Sequence, residues 1–104
     1  MKCAHGLNRS MFWCPTVDVK IDNPDFDETL RTVEGIARQK NPEAMLLAWY
    51  DEASGTYSPA VECCSEEMPG WLVYAKSRGG NLIIDVNDEK LVFVFLLPEN
   101  SDAS

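Results

Sequence analysis

Hydrophobic and polar residues follow two different periods in the first part of the chain. Residues alternate from Thr16 to Ile21, which predicts a half-buried strand near a sheet edge. Apolar residues then recur at helical spacing from Phe26 to Ala37, and Pro42 prevents continuation of a helix. Asn23 is a suitable N-cap and Pro24 is tolerated in a first helical turn. The pattern therefore predicts a strand followed directly by a helix.

A hairpin is predicted in the middle of the chain. The run from Ala44 to Tyr50 has almost no polar side chain, which indicates a strand buried on both faces. Ser54-Gly55 marks a turn into a second strand from about Tyr57 to Cys63. Pro59 cannot donate a ladder hydrogen bond, so this second strand is expected at an edge or at a bulge.

A second helix and a second hairpin complete the predicted fold. Pro69 favours the start of a short helix, and Gly79-Gly80 favours its end. The runs from Leu82 to Val86 and from Leu91 to Leu97 then predict two strands joined by a tight turn.

The order strand, helix, strand, strand, helix, strand, strand predicts an α+β fold. We expect a two-layer sandwich, a ferredoxin-like variant in which two helices cover one face of a mostly antiparallel five-stranded sheet. Residues 15–98 are predicted to form this single domain. Residues 1–14 are expected to form a loose arm, and residues 99–104 a frayed tail.

Two of the predicted strands carry apolar side chains on both faces. If both helices lie on one face, the other face would expose an apolar patch that soluble monomers rarely tolerate. The N-terminal arm with Phe12 and Trp13, a bound apolar ligand or a second copy of the chain could cover it. Because two-fold homodimers are the commonest soluble oligomers, the sequence favours a homodimer through the sheet.

Composition and charge narrow the possible partners. The chain has 104 residues, of which 45% are hydrophobic, which fits one globular domain. The formal net charge of -8 and the pI of about 4.4 disfavour nucleic acids and anionic membranes. No segment has the length of a membrane span and no secretion signal is apparent, so a cytoplasmic location with reduced thiols is expected.

Cysteine chemistry is one candidate function. Cys63 and Cys64 precede the second helix, and Arg78 is a cation that could lower a thiol pKa. Neighbouring glutamates would raise that pKa, and free cysteines are often simply buried. A zinc site formed by Cys3, His5, Cys14 and Cys63 is a weaker alternative, because their spacing matches no common motif. We therefore predict no metal and no cofactor.

Aromatic and acidic residues suggest a ligand pocket. The candidate lining residues are Trp49, Tyr50, Tyr57, Trp71 and Tyr74, although core packing explains these aromatic side chains equally well. Asp85 interrupts an apolar strand, and an inward carboxylate needs a partner such as Arg78 or Tyr50.

Several short motifs resemble a known family. They are Ala48-Trp49-Tyr50-Asp51, Tyr57-Ser58-Pro59, Glu62-Cys63, Pro69-Gly70-Trp71, Tyr74-Ala75 and Arg78-Gly79-Gly80. In these motifs the chain resembles a small family of uncharacterised prokaryotic proteins of similar length. The resemblance covers about residues 16–96. It implies a compact cytoplasmic domain, and it transfers no catalytic residue because the family has no assigned activity.

These observations favour a binding protein over an enzyme. The sequence predicts a self-associating interaction module or a small-ligand-binding module. The alternative is a thiol-dependent redox protein or enzyme that uses Cys63. The pKa of that thiol separates the two hypotheses, since only the second requires an activated sulfur.

Overall fold

The computed structural model describes residues 11–58 and 69–98. The elements are β1 (Thr16–Val19), α1 (Phe26–Lys40), β2 (Met45–Asp51), β3 (Thr56–Ser58), α2 (Gly70–Ser77), β4 (Leu82–Val86) and β5 (Leu91–Leu96). This order of two helices and five strands confirms the predicted α+β class. The far end of the predicted second hairpin strand, most of the predicted arm and the predicted tail lie outside the described residues. Within the described ranges, neither helix is long and apolar enough to cross a membrane.

The five strands form one mixed sheet in the order β1-β4-β5-β2-β3. The pairs β4–β5, β5–β2 and β2–β3 are antiparallel, and β1–β4 is parallel. The sheet is therefore mostly antiparallel, as predicted. Strands β1 and β2 run in the same direction with two strands between them, and α1 connects them as in a split β-α-β unit.

Local signals fix the ends of α1, with one shift from the prediction. Asp25, and not Asn23, is the N-cap, because its carboxylate accepts a hydrogen bond from the Glu28 backbone N at 3.2 Å. The first turn carries acidic residues and the last turn carries basic residues, as the helix dipole favours. At the other end, the Asn41 backbone N donates to the Ala37 carbonyl at 3.0 Å.

The two helices lie on opposite faces of the sheet. Side chains alternate along β4 and β5, so each strand contributes to two separate clusters. The α1 face contains Val33, Ala37, Leu82, Ile84, Val86, Leu91, Phe93 and Phe95. The α2 face contains Ala48, Trp71, Leu72, Ala75, Ile83, Val92 and Val94. The domain therefore has three layers, and the prediction of a two-layer sandwich with both helices on one face was wrong.

The second helix and the N-terminal segment cover the face that the sequence left without a cover. Met11, Phe12, Trp13 and Cys14 pack against the α2 face. The Trp13 indole Nε1 donates to the Gly80 carbonyl at 2.8 Å, and the Lys76 ammonium lies 5.8 Å from the centre of the Trp13 ring. The sequence indicated correctly that the sheet is apolar on both faces. Since the chain covers that face itself, the reason for expecting a second copy there no longer applies, and the homodimer stays a prediction.

A bulge in β2 changes which of its side chains share a face. The β2–β5 pairing shifts between Leu46 and Ala48. As a result Leu46 and Trp49 pack on the α1 face, while Leu47 and Tyr50 pack on the α2 face. Strict alternation would have grouped Leu47 with Trp49, because one extra residue reverses the period.

Thr29 on the buried side of α1 gives a direct test of the packing. Its side chain is 1% exposed, and its hydroxyl has no hydrogen-bond partner among the described residues. Valine has nearly the same shape without the hydroxyl, so Thr29→Val is expected to raise the free energy of unfolding by about 1 kcal/mol. Urea denaturation measures the change.

Thr32 in the same helix is the matched control. It is exposed and its hydroxyl donates to the Glu28 carbonyl at 3.1 Å, so Thr32→Val is expected to change the stability by less than about 0.5 kcal/mol. A loss of stability in Thr29→Val would contradict the position of this hydroxyl in the core.

Candidate ligand groove at the strand ends

Two loops at one end of the sheet contain backbone in the left-handed region. Among the described residues, four that are not glycine have positive φ: Asn23 (49°), Asn87 (55°), Asp88 (57°) and Glu89 (67°). Asparagine and aspartate tolerate this conformation, but glutamate does not favour it. Asn23 also precedes a proline, which restricts its backbone further. Because β1 and β4 are parallel, the loops that follow them meet at the same end of the sheet.

Buried and local hydrogen bonds hold the β4–β5 turn in this conformation. The fully buried Asp85 carboxylate accepts from the Glu89 backbone N at 2.5 Å. The Lys90 backbone N donates to the Val86 carbonyl at 3.1 Å. These contacts offset a strain that falls chiefly on Glu89, because Asn87 and Asp88 tolerate the left-handed region, and that costs about 1–3 kcal/mol at such a residue. Asp85 therefore holds the turn that precedes Lys90.

The Asn87 side chain connects this turn to the loop after β1. Its Oδ1 accepts from the Ile21 backbone N at 2.9 Å, and its Nδ2 donates to the Ile21 carbonyl at 2.8 Å. These two hydrogen bonds resemble the backbone hydrogen bonds between neighbouring strands, and they extend the β1–β4 pairing beyond Val19. An exposed ion pair between Lys20 and Asp88, at 3.0 Å, lies across the same two loops.

A groove of about 120 Å³ lies beside these loops. It is lined by Pro24, Phe26, Asp51, Ala53, Lys90 and Leu91. Two of these residues directly follow left-handed positions: Pro24 follows Asn23, and Lys90 follows Glu89. The strained backbone therefore places part of the groove wall.

The groove combines an apolar wall with one cation and one anion. Pro24, Phe26 and Leu91 form the wall, and the Phe26 ring packs 4.7 Å from the Trp49 ring between centroids. Asp51 Oδ1 accepts from the Ala53 backbone N at 3.1 Å, which holds the carboxylate in a turn. The Lys90 ammonium lies 3.7 Å from the Glu52 carboxylate in an exposed pair.

The aromatic residues predicted to line a pocket lie on two faces of the sheet. Trp49 packs on the α1 face, whereas Tyr50 stacks on Trp71 on the α2 face, with 5.4 Å between ring centroids and 2° between planes. Tyr57 pairs with Tyr50 across the ladder and is 42% exposed. Burial raises the pKa of Tyr50, and the Glu52 and Asp51 carboxylates raise it further. The five aromatic residues do not form one pocket, because Trp49 lies on the other face.

Asp85 and Arg78 lie at opposite ends of β4. Asp85 is on the α2 face beside Val92 of β5 and Asp18 of β1, and its carboxylate accepts a hydrogen bond from the Glu89 backbone N. Arg78 comes before the first residue of β4, where its guanidinium lies 5.0 Å from the centre of the half-buried Tyr74 ring. The sequence suggested Arg78 as one possible partner for Asp85, and this prediction was wrong because the two residues lie at opposite ends of β4.

Of the predicted thiol and metal ligands, the structure describes Cys14. Its half-buried side chain packs on the α2 face, and burial raises the pKa of the thiol from 9.0 to about 11. Such a thiol carries little thiolate at neutral pH. Cys3, His5, Cys63 and Cys64 lie outside the described residues. In the part of the chain that the structure describes, no cluster of three or more His, Cys, Asp or Glu side chains could hold a metal.

Sequence reasoning did not select the residues that line the groove. Pro24, Ala53 and Lys90 are ordinary loop residues, and their proximity depends on the strand order. The most useful sequence signal is the turn Asn87–Lys90, which lacks glycine and connects two largely apolar strands. In this turn residues other than glycine adopt the positive φ that tight hairpin turns often use.

Comparison with known proteins places the chain in a family. A curated relative, an uncharacterised protein of Archaeoglobus fulgidus, is 39% identical over 68 residues, which cover 65% of this chain and 71% of the relative. A crystal structure of a novel protein from the same species superposes with a TM-score of 0.71 at 31% identity, covering 85% of this chain and 99% of that one. A family model described as a domain of unknown function matches residues 15–95. The resemblance to uncharacterised prokaryotic proteins is thus confirmed, and the chain belongs to the DUF5619 family.

Proposed function

We propose that the domain is a small-ligand-binding module and that the groove at the strand ends is its site. One observation carries this proposal: the domain retains strained, non-glycine backbone in the two loops that place the groove wall. Glycine at these positions would remove much of the strain, and strain of this kind concentrates at functional sites. The supports from Asp85 and Asn87 fix the turn before a ligand arrives, which lowers the cost of binding.

The size of the groove limits the ligand and its affinity. A volume of about 120 Å³ is below the ~300–1,000 Å³ of sites for drug-sized ligands, so the groove takes a molecule of only a few non-hydrogen atoms. Even near the ceiling of ~1.5 kcal/mol for each atom, so few atoms give at most a moderate affinity. The proposed ligand is therefore small, or it inserts only one end.

The thiol alternative has no comparable support within the described residues. Cys63 lies outside them, and Arg78 stacks on Tyr74 at the other end of β4. The groove is built from charged and apolar side chains and contains no sulfur. Binding is the function that these contacts favour.

An NMR titration tests the proposal. Uniformly ¹⁵N-labelled protein is titrated with four probes: L-alanine, ethylamine, propionate and ethanol. At least one probe is expected to give saturable shifts in the backbone amides of residues 51–53 and 90–91. Ala53→Phe should abolish these shifts by filling the groove. Ser54→Phe is the matched control, because the neighbouring exposed residue does not line the groove.

Two results would contradict a ligand site in this groove. One is the absence of saturable shifts with all four probes at millimolar concentration. The other is a set of shifts that Ala53→Phe leaves unchanged.

A further inference from the structure

We propose that the ligand of this groove is a small α-amino acid, or the α-amino acid end of a larger molecule, bound as its zwitterion. This inference rests on the proposed function and specifies its ligand class. It follows from three features of the groove: one cation, one anion, and an apolar wall beside them.

Lys90 is the group that binds the ligand carboxylate. Its present partner, the Glu52 carboxylate, lies 3.7 Å away, and the two side chains are 61% and 49% exposed. An exposed pair at this distance is weak, so a ligand carboxylate can replace it. The Lys90 backbone is fixed by two hydrogen bonds: its N donates to the Val86 carbonyl at 3.1 Å, and its carbonyl accepts from Glu52 N at 2.9 Å.

Asp51 is the group that binds the ligand ammonium. One carboxylate oxygen accepts from the Ala53 backbone N at 3.1 Å, and a carboxylate has sites for several further donors. Asp51 is paired with Leu91 in the β2–β5 ladder, directly beside Lys90 in sequence. The anion at the end of β2 and the cation just before β5 therefore lie at the same end of the sheet.

The surrounding charge favours a ligand without net negative charge. The three loops at this end carry six acidic and two basic residues, namely Asp22, Asp25, Asp51, Glu52, Asp88, Glu89, Lys20 and Lys90. Phosphates and dicarboxylates are repelled by such a field, whereas a zwitterion is not. The wall of Pro24, Phe26 and Leu91 accommodates a short apolar side chain.

The four probes of the titration also test this inference. Propionate is alanine without its ammonium, and ethylamine is alanine without its carboxylate. If both charges are recognised, alanine should bind about fivefold more tightly than either fragment, the effect of one exposed ion pair. Lys90→Met and Asp51→Asn should each weaken alanine binding to a similar extent. The amide oxygen introduced by Asp51→Asn can still accept from the Ala53 N–H, so the turn is preserved.

Lys20→Met and Asp88→Asn are the matched controls. They remove the same charges from an ion pair at the same end of the domain, outside the groove, and should leave the affinity for alanine within twofold. If ethylamine or propionate binds in the groove as tightly as alanine, the zwitterion inference is wrong while the site remains. If the control variants weaken binding as much as the groove variants, the charges act only through the general field, which also contradicts the inference. Failure of every probe to bind contradicts the proposed function itself.

Discussion

Replacement of Phe93 by alanine is expected to lower the free energy of unfolding by about 4 kcal/mol, the largest effect that we expect from a single substitution in this domain. Phe93 has no exposed surface and lies at the centre of the α1 face. It pairs with Ile84 on one side and with Trp49 on the other, and its ring lies 5.9 Å from that of Phe26. Truncation removes the ring and leaves a cavity that the sheet cannot close. Urea denaturation monitored by circular dichroism measures the loss.

Met45 at the start of β2 is the control for this substitution. Its side chain is 51% exposed, so Met45→Ala is expected to change the free energy of unfolding by less than about 0.5 kcal/mol. The assigned core would be incorrect if the two substitutions had equal effects.

Replacement of Gly80 by alanine is expected to lower the free energy of unfolding by about 2 kcal/mol, because a methyl group has no space there. It would lie 2.8 Å from Val94 Cγ1 and 3.0 Å from the Ala75 carbonyl oxygen. The Gly80 backbone is also fixed at both ends: its N donates to Ala75 and its carbonyl accepts from the Trp13 indole. The substitution should therefore disturb the packing of α2 and of the N-terminal segment together.

Gly35 in α1 gives the opposite expectation. A methyl group there meets nothing within 4 Å, so Gly35→Ala should raise the free energy of unfolding by about 1 kcal/mol through helix propensity alone. Thermal unfolding of the two variants and the parent protein compares them directly. A Gly80→Ala variant as stable as the parent would contradict the close approach of α2 to β5.

The elements could be predicted from the sequence because their signals are local. The alternation from Thr16 to Ile21 places Val17 and Val19 on one face, and both pack on the α1 face as expected. The helical spacing after Phe26 and the stop at Gly79-Gly80 also correspond to the observed helices. Each of these signals lies within one turn or one strand of the element that it specifies.

The face that α2 covers could not be predicted in the same way. This helix is short and four of its eight residues are buried, so its sequence does not indicate which side of the helix packs on the sheet. Its placement follows from the whole sheet, since β4 and β5 are buried on both sides and α1 covers only one. The bulge at Leu47 also depends on the rest of the sheet, because the pairing of β2 with β5 determines its position. Nothing within a run of apolar residues marks where the bulge occurs.

The groove could not be predicted because its residues come from three loops and from the ends of the helix and strands beside them. Asp51 and Lys90 are polar residues next to strands, and many such residues are only solvated. Their proximity depends on the pairing of β2 with β5, and the conformation of the adjacent turn depends on the buried Asp85. The sequence suggests Arg78 or Tyr50 as a partner for Asp85; Arg78 instead lies against Tyr74, and the Asp85 carboxylate accepts from the Glu89 backbone N.

Methyl NOE spectroscopy can establish whether a single chain covers both faces of the sheet, one with α1 and the other with α2. NOEs are expected from the Val33 methyl groups to side chains of the α1 face, such as Ile84 and Phe93, and from the Leu72 methyl groups to side chains of the α2 face, such as Ile83, Val92 and Val94. NOEs from both Val33 and Leu72 to the same members of β4 and β5 would place the two helices on one face and contradict the three-layer arrangement.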